Sequence, residues 1–508
     1  MKPEQFDLAI IGAGPAGMAA ALEARRQRLR TVVLDEQFQP GGQIWRNVEA
    51  VTTRRPQDLF LLGPDYADGY PIAQRFRTCG ADYRPGARVW QIEIMPTARQ
   101  AGAGASMAMP SSDALDTGPD DDPQVHVERR RTGADRHLCY TDARGAHRIA
   151  TRHVLIATGA FERPMPVPGW TLPGVLTCGA AQVMLKTAGM VPRTPLVLAG
   201  AGPLVLLVAA QLLRAGVKPA AVIETVPAAN YLRALARIGP ALLAPGYISK
   251  GLSMIGALRR AGVPRFIGAL DLRLEGAGRV ESVLFRHRGT EHRLRAETVL
   301  LHQGVVPNAS LWQSLGVDQT WDAVQCCFRP GADAWGNSSV AGLLVAGDSA
   351  GIGGAEAALC AGELAALSIA WQQRRIGTEE RDRRAKTVRR ALRAHWSARP
   401  FLDRLYRPPQ AMRVPPGDDT IVCRCEEVRA GELRELAARA VPGPNQMKAF
   451  SRCGMGPCQG RLCGLTVTEL IAQTQRRDPG EVGYYRVRPP IVPVTVGEMA
   501  ALQSGDER

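Results

Sequence analysis

The sequence predicts an α/β protein with two Rossmann-like dinucleotide-binding domains and a small, mostly helical C-terminal domain. Two strand–glycine turn–helix–strand patterns, at residues 5–35 and 195–224, predict the α/β part. Five of the eleven cysteines lie between residues 423 and 463, which indicates a separate unit able to bind metal. At 508 residues the chain is long enough for two to four domains, each with its own core.

The first strand–glycine turn–helix–strand unit contains IIGAGPAG, in which the glycines directly follow a strand pattern. A G-x-G-x-x-G turn allows a tight bend, close approach of a pyrophosphate to the backbone and close packing of helix on strand. The free N–H groups of the helix N-terminus then face the phosphates. The next strand, TVVLD, ends on a carboxylate at the spacing suited to an adenosine ribose, with the following glutamate as the alternative. The predicted residues are Gly12, Gly14, Pro15, Gly17, Asp35 and Glu36.

Three further segments resemble motifs of two-domain flavoprotein reductases, the thioredoxin-reductase and glutathione-reductase group. They are PGGQIW at 40–45, ATG at 157–159 and the Gly-Asp pair at 347–348. The resemblance implies FAD in the first site, with Asp348 beside the ribityl chain. The residues that it implies are Gly42, Gln43, Thr158, Gly159, Gly347 and Asp348.

The second unit repeats the pattern in VLAGAGPLVLL, with Gly200 and Gly202 in the turn and Glu224 at the end of the next strand. The third glycine position holds Val205, and a branched side chain there should push the helix away from the strand. Three occupancies stay open: NAD, another adenine nucleotide such as ATP, or none. No arginine pair for a 2′-phosphate follows Glu224, so we do not expect NADP.

The segment GVLTCGAAQ lies where thioredoxin reductases carry a C-x-x-C redox pair. Here Cys178 is followed three residues later by Ala181. A dithiol–disulfide cycle needs two adjacent sulphurs, so we predict that Cys178 is a buried thiol without disulfide-reductase chemistry.

The C-terminal cysteines form a C-x-C followed, after a helical stretch, by three more cysteines in CGMGPCQGRLCG. This pattern resembles the [2Fe–2S] domain of bacterioferritin-associated ferredoxin, although the second pair is C-x4-C rather than C-x2-C. Such a cluster needs four thiolates shared between two irons. The resemblance implies Cys423, Cys425, Cys458 and Cys463 as ligands, with Cys453 spare. A Cys453 and Cys458 pair has the same x4 spacing and stays open, and structural zinc is the alternative occupant.

The chain as a whole resembles the alpha subunits of heteromeric amine-oxidising dehydrogenases, in GAFERPMPVPGWTLPGVLTCGAAQ, LLHQGVVPN, CRCEEV and SRCGMGPCQGRLCG. That group includes opine dehydrogenases, D-hydroxyproline dehydrogenase, archaeal L-proline dehydrogenase and the middle subunit of hydrogen cyanide synthase. The resemblance implies an oxidoreductase subunit that acts on CH–NH bonds and passes electrons from an opine, proline-type compound or glycine through flavin and the [2Fe–2S] cluster to an acceptor.

The same resemblance implies a partner, because in that group the small-molecule amine is oxidised in an FAD-containing beta subunit of amino-acid-oxidase type. Some members have FMN at the subunit boundary, and a small third subunit is a further expected partner. We identify no catalytic residue in this chain. The alternative functions are a stand-alone NAD(P)H-dependent flavin and iron–sulphur reductase, against which Val205 argues, and a non-enzymatic redox or iron sensor.

The net charge of +15 comes from scattered basic residues without a basic groove of interleaved aromatics, so we expect no nucleic-acid partner. The longest uncharged run, 194–213, contains GAGP and is interpreted as strand, turn and buried helix, not as a membrane span. A strand pattern begins at Phe6 where a signal peptide would lie, which predicts a cytoplasmic protein.

The predicted domain boundaries follow from these patterns and from composition. We expect a first FAD-binding part at 1–160 with a flexible insertion at 97–122, a second dinucleotide-binding domain at 161–305, a second FAD-binding part at 306–375, a helical and proline-rich linker at 376–419, the [2Fe–2S] domain at 420–485 and an extended tail at 486–508.

Overall fold

The structure is a computed structural model that describes residues 3–95 and 135–504. The predicted flexible insertion at 97–122 lies outside the described residues. Within the described ranges, no helix is long and apolar enough to cross a membrane.

The described strands fall into two larger sheets and several small ones. In chain order they are β1 (Glu4–Ile11), β2 (Thr31–Asp35), β3 (Asp82–Pro85), β4 (Arg88–Ile94), β5 (Arg136–Asp142), β6 (Gly145–Ile156), β7 (Ala160–Glu162), β8 (Val175–Thr177), β9 (Leu196–Ala201), β10 (Ala221–Glu224), β11 (Arg265–Ile267), β12 (Leu270–Glu275), β13 (Ser282–His287), β14 (Thr290–Arg295), β15 (Thr298–Gln303), β16 (Val305–Pro307), β17 (Gln319–Asp322), β18 (Cys327–Pro330), β19 (Leu343–Val345), β20 (Ile421–Cys423) and β21 (Val428–Arg429).

The described helices connect these strands and build most of the C-terminal domain; two short 3-10 helices, at Gly347–Ser349 and Gln410–Met412, accompany them. They are α1 (Pro15–Arg26), α2 (Val48–Arg54), α3 (Asp58–Leu62), α4 (Pro64–Ala67), α5 (Gly69–Thr78), α6 (Cys178–Ala188), α7 (Pro203–Arg214), α8 (Ala228–Leu235), α9 (Ile238–Ala241), α10 (Pro245–Arg260), α11 (Ser310–Ser314), α12 (Ala355–Gln372), α13 (Thr378–Ser397), α14 (Arg399–Leu405), α15 (Ala430–Ala438), α16 (Pro444–Ser451), α17 (Gly464–Gln475), α18 (Pro479–Val482) and α19 (Val496–Ser504).

The first large sheet has the order β3-β2-β1-β6-β5-β4, with β19 added beside β6. Strand β1 runs parallel to β2 and β6, and the central strands are apolar and buried because helices cover them. Helix α12, from late in the chain, packs on α1. A methyl group at Gly362 would lie 2.0 Å from the Ala16 carbonyl oxygen, so this contact requires glycine. The first domain is therefore completed by a helix that begins about 340 residues after its first strand ends.

The second large sheet has the order β11-β10-β9-β15-β8 and is parallel throughout its pairings. The antiparallel sheet β12-β13-β14 lies beside it and shares its core, in which Phe285, Val197 and Ile223 are buried. Helices α6 and α7 belong to a second core on the other side of the sheet, with Val205, Leu206 and Leu258. Both large sheets are thus of the dinucleotide-binding type, and the predicted α/β class is confirmed.

The C-terminal domain contains the β20–β21 hairpin and helices α15 to α18 around a core that includes three cysteines. Beyond it the tail first follows the extended course that its prolines predict, and the Ile491 N–H bonds to the Trp90 carbonyl of the first sheet. The tail then differs from the extended arm that the sequence predicts, because helix α19 begins at Val496. The run VGEMAALQS is free of proline and rich in helix-forming residues, which accounts for this turn to helix.

Candidate functional site

The first glycine turn has the geometry that its sequence predicts. Gly12 has φ +103°, and a methyl group there would lie 2.5 Å from the Ala157 carbonyl oxygen. A methyl group at Gly17 would lie 1.8 Å from the Gly12 carbonyl oxygen, so helix and strand meet in direct backbone contact. A methyl group at Gly14 would lie 3.7 Å from its nearest neighbour, the Gly42 Cα, so Gly14 is less tightly enclosed than Gly12 or Gly17. Pro15 begins α1, where no N–H is needed.

The other segments predicted for this site converge on the same turn. Gly42 (φ +61°) faces Gly14, and a methyl group on Gly42 would lie 3.0 Å from the Gly14 Cα. Gly347 (φ +73°) faces Ala16, with 2.8 Å between the position of an added methyl and the Ala16 Cβ. Three loops distant in sequence, at Gly42, Ala157 and Gly347, therefore meet the glycine turn at the start of α1, and these close contacts require glycine.

The polar side chains of Asp348 and Thr158 form hydrogen bonds within and between these loops. Asp348 Oδ1 accepts the N–H groups of Gly353 at 2.9 Å and Gly354 at 3.0 Å. Thr158 Oγ1 donates to the Asn308 carbonyl at 3.2 Å, and the Asn308 N–H bonds to the Gly159 carbonyl. These bonds fix the loops that meet the N-terminus of α1, a set that we call the glycine cradle. They also occupy one oxygen of Asp348.

The two candidate ribose carboxylates have different surroundings. Asp35 is buried, and its oxygens accept the N–H of Ala13 at 2.5 Å and of Gln37 at 2.7 Å. Burial raises the pKa of Asp35 to about 6, and the two backbone N–H groups oppose this rise by stabilising the carboxylate. Glu36 is exposed and accepts the Gln37 side-chain amide at 3.4 Å. Asp35 therefore holds the glycine turn, and Glu36 is the carboxylate that stays accessible to a ligand.

The second glycine turn is built in the same way but is approached by a side chain. A methyl group at Gly200 would lie 1.7 Å from the His302 carbonyl oxygen, while one at Gly202 would lie 3.0 Å from the His302 ring at Cδ2 and Nε2. His302 is held in place because its Nδ1 lies 2.6 Å from Glu162 Oε1. Val205 is buried in the core. An imidazole thus occupies the space in front of Gly202, where a pyrophosphate would approach.

The acidic residue of the second unit is also engaged within the protein. Glu224 Oε1 accepts from Arg265 Nε at 2.8 Å and from its terminal nitrogen at 2.5 Å. The linker crosses the same region, since Asn230 Nδ2 donates to the carbonyls of Leu405 and Arg407. A recess of about 200 Å³ is left beside Gly202, lined also by α14 and the residues that follow it.

A larger cavity of about 840 Å³ lies between the two dinucleotide-type units. Its walls combine apolar side chains with a buried polar group, Lys186 on α6. Lys186 Nζ donates to the carbonyls of Gln43 and Ile44 and to Gln182 Oε1, each at 2.9 Å. Burial lowers the pKa of Lys186 to about 7. Sequence reasoning missed this residue, and the available signal was the Gln182–Lys186 pair one helical turn apart on α6.

Cys178 at the start of α6 is fully buried, and its thiol lies 3.9 Å from the Leu300 carbonyl. Burial raises the pKa of Cys178 well above its usual value. A thiol in this state is a poor nucleophile, in agreement with the predicted absence of disulfide-reductase chemistry.

The C-terminal cysteines form two groups. The sulphurs of Cys423, Cys453 and Cys463 all lie within 4.8 Å of one another and are buried. The thiols of Cys453 and Cys463 donate to Cys423 and lower its pKa to about 2. Cys425 and Cys458 form the second group, in which the Cys458 N–H bonds to the Cys425 sulphur. The resemblance implies a ligand set in which Cys453 is spare, whereas the structure places Cys453 within the compact trio.

The glycines of this loop have two functions. The Gly454 N–H bonds to Cys423, so the backbone of this loop turns a donor toward the sulphur. Gly454 and Gly460 also lie flat against the Tyr485 ring, where added methyl groups would come within 2.6 and 2.4 Å of it. Tyr485 closes the trio, because its hydroxyl donates to the Cys453 carbonyl at 2.8 Å. Neither the tyrosine nor its packing against glycine follows from cysteine spacing.

The fold and these sites define a dinucleotide-binding oxidoreductase with an added thiolate domain. The family model described as pyridine nucleotide-disulphide oxidoreductase matches residues 6–373, and that described as the sarcosine oxidase A3 domain matches residues 422–503. The first of these families implies FAD binding. The open glycine cradle around α1 fits such a cofactor, and the grouped thiols are compatible with an iron–sulphur site.

Relatives extend over the whole chain. The A-type subunit of opine oxidase from Agrobacterium tumefaciens (strain Ach5) is 42% identical over 98% of this chain and 92% of its own length. Its namesake from Rhizobium meliloti (strain 1021) is 40% identical, with 98% and 99% covered. The HcnB subunit of hydrogen cyanide synthase from Pseudomonas aeruginosa is 32% identical, with 96% of each chain covered.

Among solved structures, L-proline dehydrogenase from P. horikoshii superimposes with a TM-score of 0.66 and 16% identity, covering 98% of this chain and 80% of that chain. This likeness shows the fold. The chain belongs to the alpha-subunit family of heteromeric flavin-dependent amine and amino-acid dehydrogenases, oxidoreductases that act on CH–NH bonds, as the sequence predicts. It is one subunit of such a complex.

Proposed function

We propose that this chain is the electron-transfer subunit of a dehydrogenase that oxidises an opine or a related secondary amine or amino acid. Its partner is an FAD-containing, amino-acid-oxidase-like beta subunit in which the amine is oxidised, and a small third subunit is a further partner. The observation that carries the proposal is the presence in one chain of the open cradle around α1 and the compact thiol trio. The relatives named as opine oxidase subunits support the substrate class.

Two separate sets of residues in this chain hold the two redox groups. Glu36 and the open N–H groups at the start of α1 bind the nucleotide portion of FAD, and the loops at Gly42 and Gly347 close around it. When bound, a flavin accepts two electrons and releases them singly, whereas a [2Fe–2S] cluster accepts one.

The thiol set for the cluster is Cys423, Cys453 and Cys463, completed by Cys425 or Cys458. This choice replaces the preference for Cys458 over Cys453 that spacing gives. Replacing Cys453 by serine tests it: iron and acid-labile sulphide should fall to a small fraction of the wild-type content. Serine at Cys178, another buried thiol, is the matched control and should leave iron content unchanged. Full iron content in the Cys453 variant, or a zinc-loaded colourless domain, would contradict the assignment.

The assay for the whole proposal is co-expression with an oxidase-like beta subunit. The complex should reduce an artificial acceptor when octopine, nopaline or a proline-type compound is added, and the isolated alpha chain should not. Full amine dehydrogenase activity of this chain alone would disprove its assignment as an electron-transfer subunit.

The stand-alone NAD(P)H-dependent reductase is the second candidate. The imidazole in front of Gly202 and the pairing of Glu224 with Arg265 count against it. Rapid bleaching of the flavin by NADH in a stopped-flow experiment on the isolated chain would favour it. FMN at the subunit boundary and a cytoplasmic location belong to the proposal, as in the group that the sequence resembles.

A further inference from the structure

The three consecutive helices α8, α9 and α10 expose an unusual number of apolar side chains. Five of the seven exposed leucines in the described part of the chain lie in this stretch. We call this set the leucine surface: Leu232, Leu235, Ile238, Leu242, Leu243 and Leu252. Leu232 and Leu243 are each 73% exposed, so they contribute little to the core. Exposed apolar side chains concentrated in one stretch of chain indicate an interaction site.

The charge of the same stretch has one sign. Residues 225–270 contain five arginines and one lysine, and no aspartate or glutamate. Arg233 lies between the exposed Leu232 and Leu235 of α8, and Arg237 directly precedes the exposed Ile238 of α9. An apolar centre with a basic rim fits a partner surface that is apolar with an acidic rim.

The leucine surface is continuous with the cavity between the two dinucleotide-type units. Four residues of α10 both line that cavity and are exposed to solvent, so the cavity opens on this helix: Gly246, Ser249, Lys250 and Ser253. Lys250 pairs with Asp65 of α4, which joins the two units across this opening. A partner bound to the leucine surface would therefore lie beside the cavity that Lys186 lines.

From these features we infer that the leucine surface is the docking face for the oxidase-like beta subunit. The inference rests on the proposed function, since it assigns the place of the partner that the function requires. The apolar side chains form the centre of the interface, and Arg233 and Arg237 bind carboxylates at its rim. Docking also covers the opening of the cavity at α10.

The test uses the full chain co-expressed with the tagged oxidase-like subunit. The double variant Leu232→Asp with Leu243→Asp should weaken assembly roughly a hundred-fold or more, because two carboxylates would be buried in an apolar centre. Phe450→Asp is the matched control: Phe450 is 71% exposed but lies on α16 of the cysteine domain, so assembly should persist. Affinity is measured by titration of the two purified subunits, with circular dichroism and flavin content as checks on folding.

Hydrogen exchange gives a second measurement that does not depend on a variant. Amides of residues 228–253 should exchange more slowly in the wild-type complex than in the isolated chain. Unchanged affinity of the double variant, together with unchanged exchange in this stretch, would overturn the inference while leaving the subunit function intact. Failure of the wild-type subunits to assemble would instead overturn the proposed function.

Two other occupants give distinct results, and each would overturn the inference. Binding of the isolated wild-type chain, but not the double variant, to phosphatidylglycerol vesicles would assign the surface to lipid. A light-scattering mass of two chains, reduced to one by the double variant, would assign it to a second copy of this chain.

Discussion

The two dinucleotide-type units share one local architecture, and they differ in what stands in front of the glycine turn. In the first unit the neighbour of Gly14 is another glycine, Gly42. In the second unit the neighbour is the imidazole of His302, which lies 3.0 Å from the position of a methyl on Gly202. The glycine motif therefore determines the shape of the turn, whereas distant residues determine whether a ligand can reach it.

The carboxylates at the ends of the second strands show the same contrast. Asp35 binds backbone N–H groups of its own turn and leaves Glu36 exposed. Glu224 binds Arg265, and no second carboxylate follows it, because Thr225 comes next. The first unit thus retains a carboxylate that a ribose can reach. In the second unit the carboxylate at this position is paired with an arginine of the protein.

Replacement of Gly17 by alanine should have the largest effect. The added methyl would lie 1.8 Å from the Gly12 carbonyl oxygen, so α1 must move from the strand. We expect a loss of about 3 kcal/mol in the free energy of unfolding and loss of nearly all bound flavin. Flavin absorbance per protein and urea unfolding measure these effects.

Gly14→Ala is the matched control for that change, because its methyl would be 3.7 Å from the nearest atom, Gly42 Cα. It should keep the wild-type unfolding free energy and lose flavin only, since the methyl stands where the pyrophosphate approaches. Wild-type flavin content in both variants would show that the first unit is not the cofactor site. The proposed difference between the two units would then be wrong.

The pH dependence of Asp35 should have the next largest effect. Burial raises the pKa of this carboxyl from 3.8 to about 6, so the native state binds the proton more tightly than the unfolded chain does. Asp35 therefore favours folding below about pH 4, and this contribution is lost as the pH rises through 6. The difference corresponds to at most about 3 kcal/mol.

Asparagine at position 35 stays neutral and can still accept the Ala13 N–H. Its stability relative to the wild type should therefore increase between pH 4 and pH 7, by up to about 3 kcal/mol. Urea unfolding of the flavin-free proteins at both pH values measures it. A relative stability that is constant, or that decreases over this range, would show that the backbone N–H groups dominate and that Asp35 is an ordinary carboxylate.

The contrast between the units also separates what the sequence could predict from what it could not. The turns, the parallel sheets and the convergence of Gly42 and Gly347 on α1 follow from local patterns and from family resemblance. The obstruction by His302 does not, because its position depends on β15 pairing with β9 in a register that places His302 opposite Gly200. Spacing likewise finds the cysteine domain but not its trio, since the fold of the loop around Tyr485 brings Cys453 inward.

Breaking the Glu224–Arg265 pair should have a moderate effect that is confined to stability. Glu224→Gln leaves the half-buried Arg265 without its carboxylate and should cost about 2 kcal/mol in the free energy of unfolding. The double variant with Arg265→Leu should recover part of this loss, which urea unfolding can measure. NADH affinity should not change in either variant. A weaker NADH affinity in the glutamine variant would mean that Glu224 binds a ligand, the role that we propose for Glu36 in the first unit.

The smallest expected effect comes from restoring a small residue at the third glycine position. Val205→Ala removes two buried methyl groups and should cost about 1.5 kcal/mol in the free energy of unfolding. It should not create NADH-dependent flavin reduction, because the His302 ring and the linker at Tyr406 remain in place. Stopped-flow absorbance measures this reduction.

If the alanine variant alone gained NADH-dependent flavin reduction, the third position of the turn would control access of the nucleotide. The residues in front of Gly202 would then have no role in blocking it. If only a variant that also carries Tyr406→Ala and His302→Ala gained it, the surroundings of the turn would be what separates the two units.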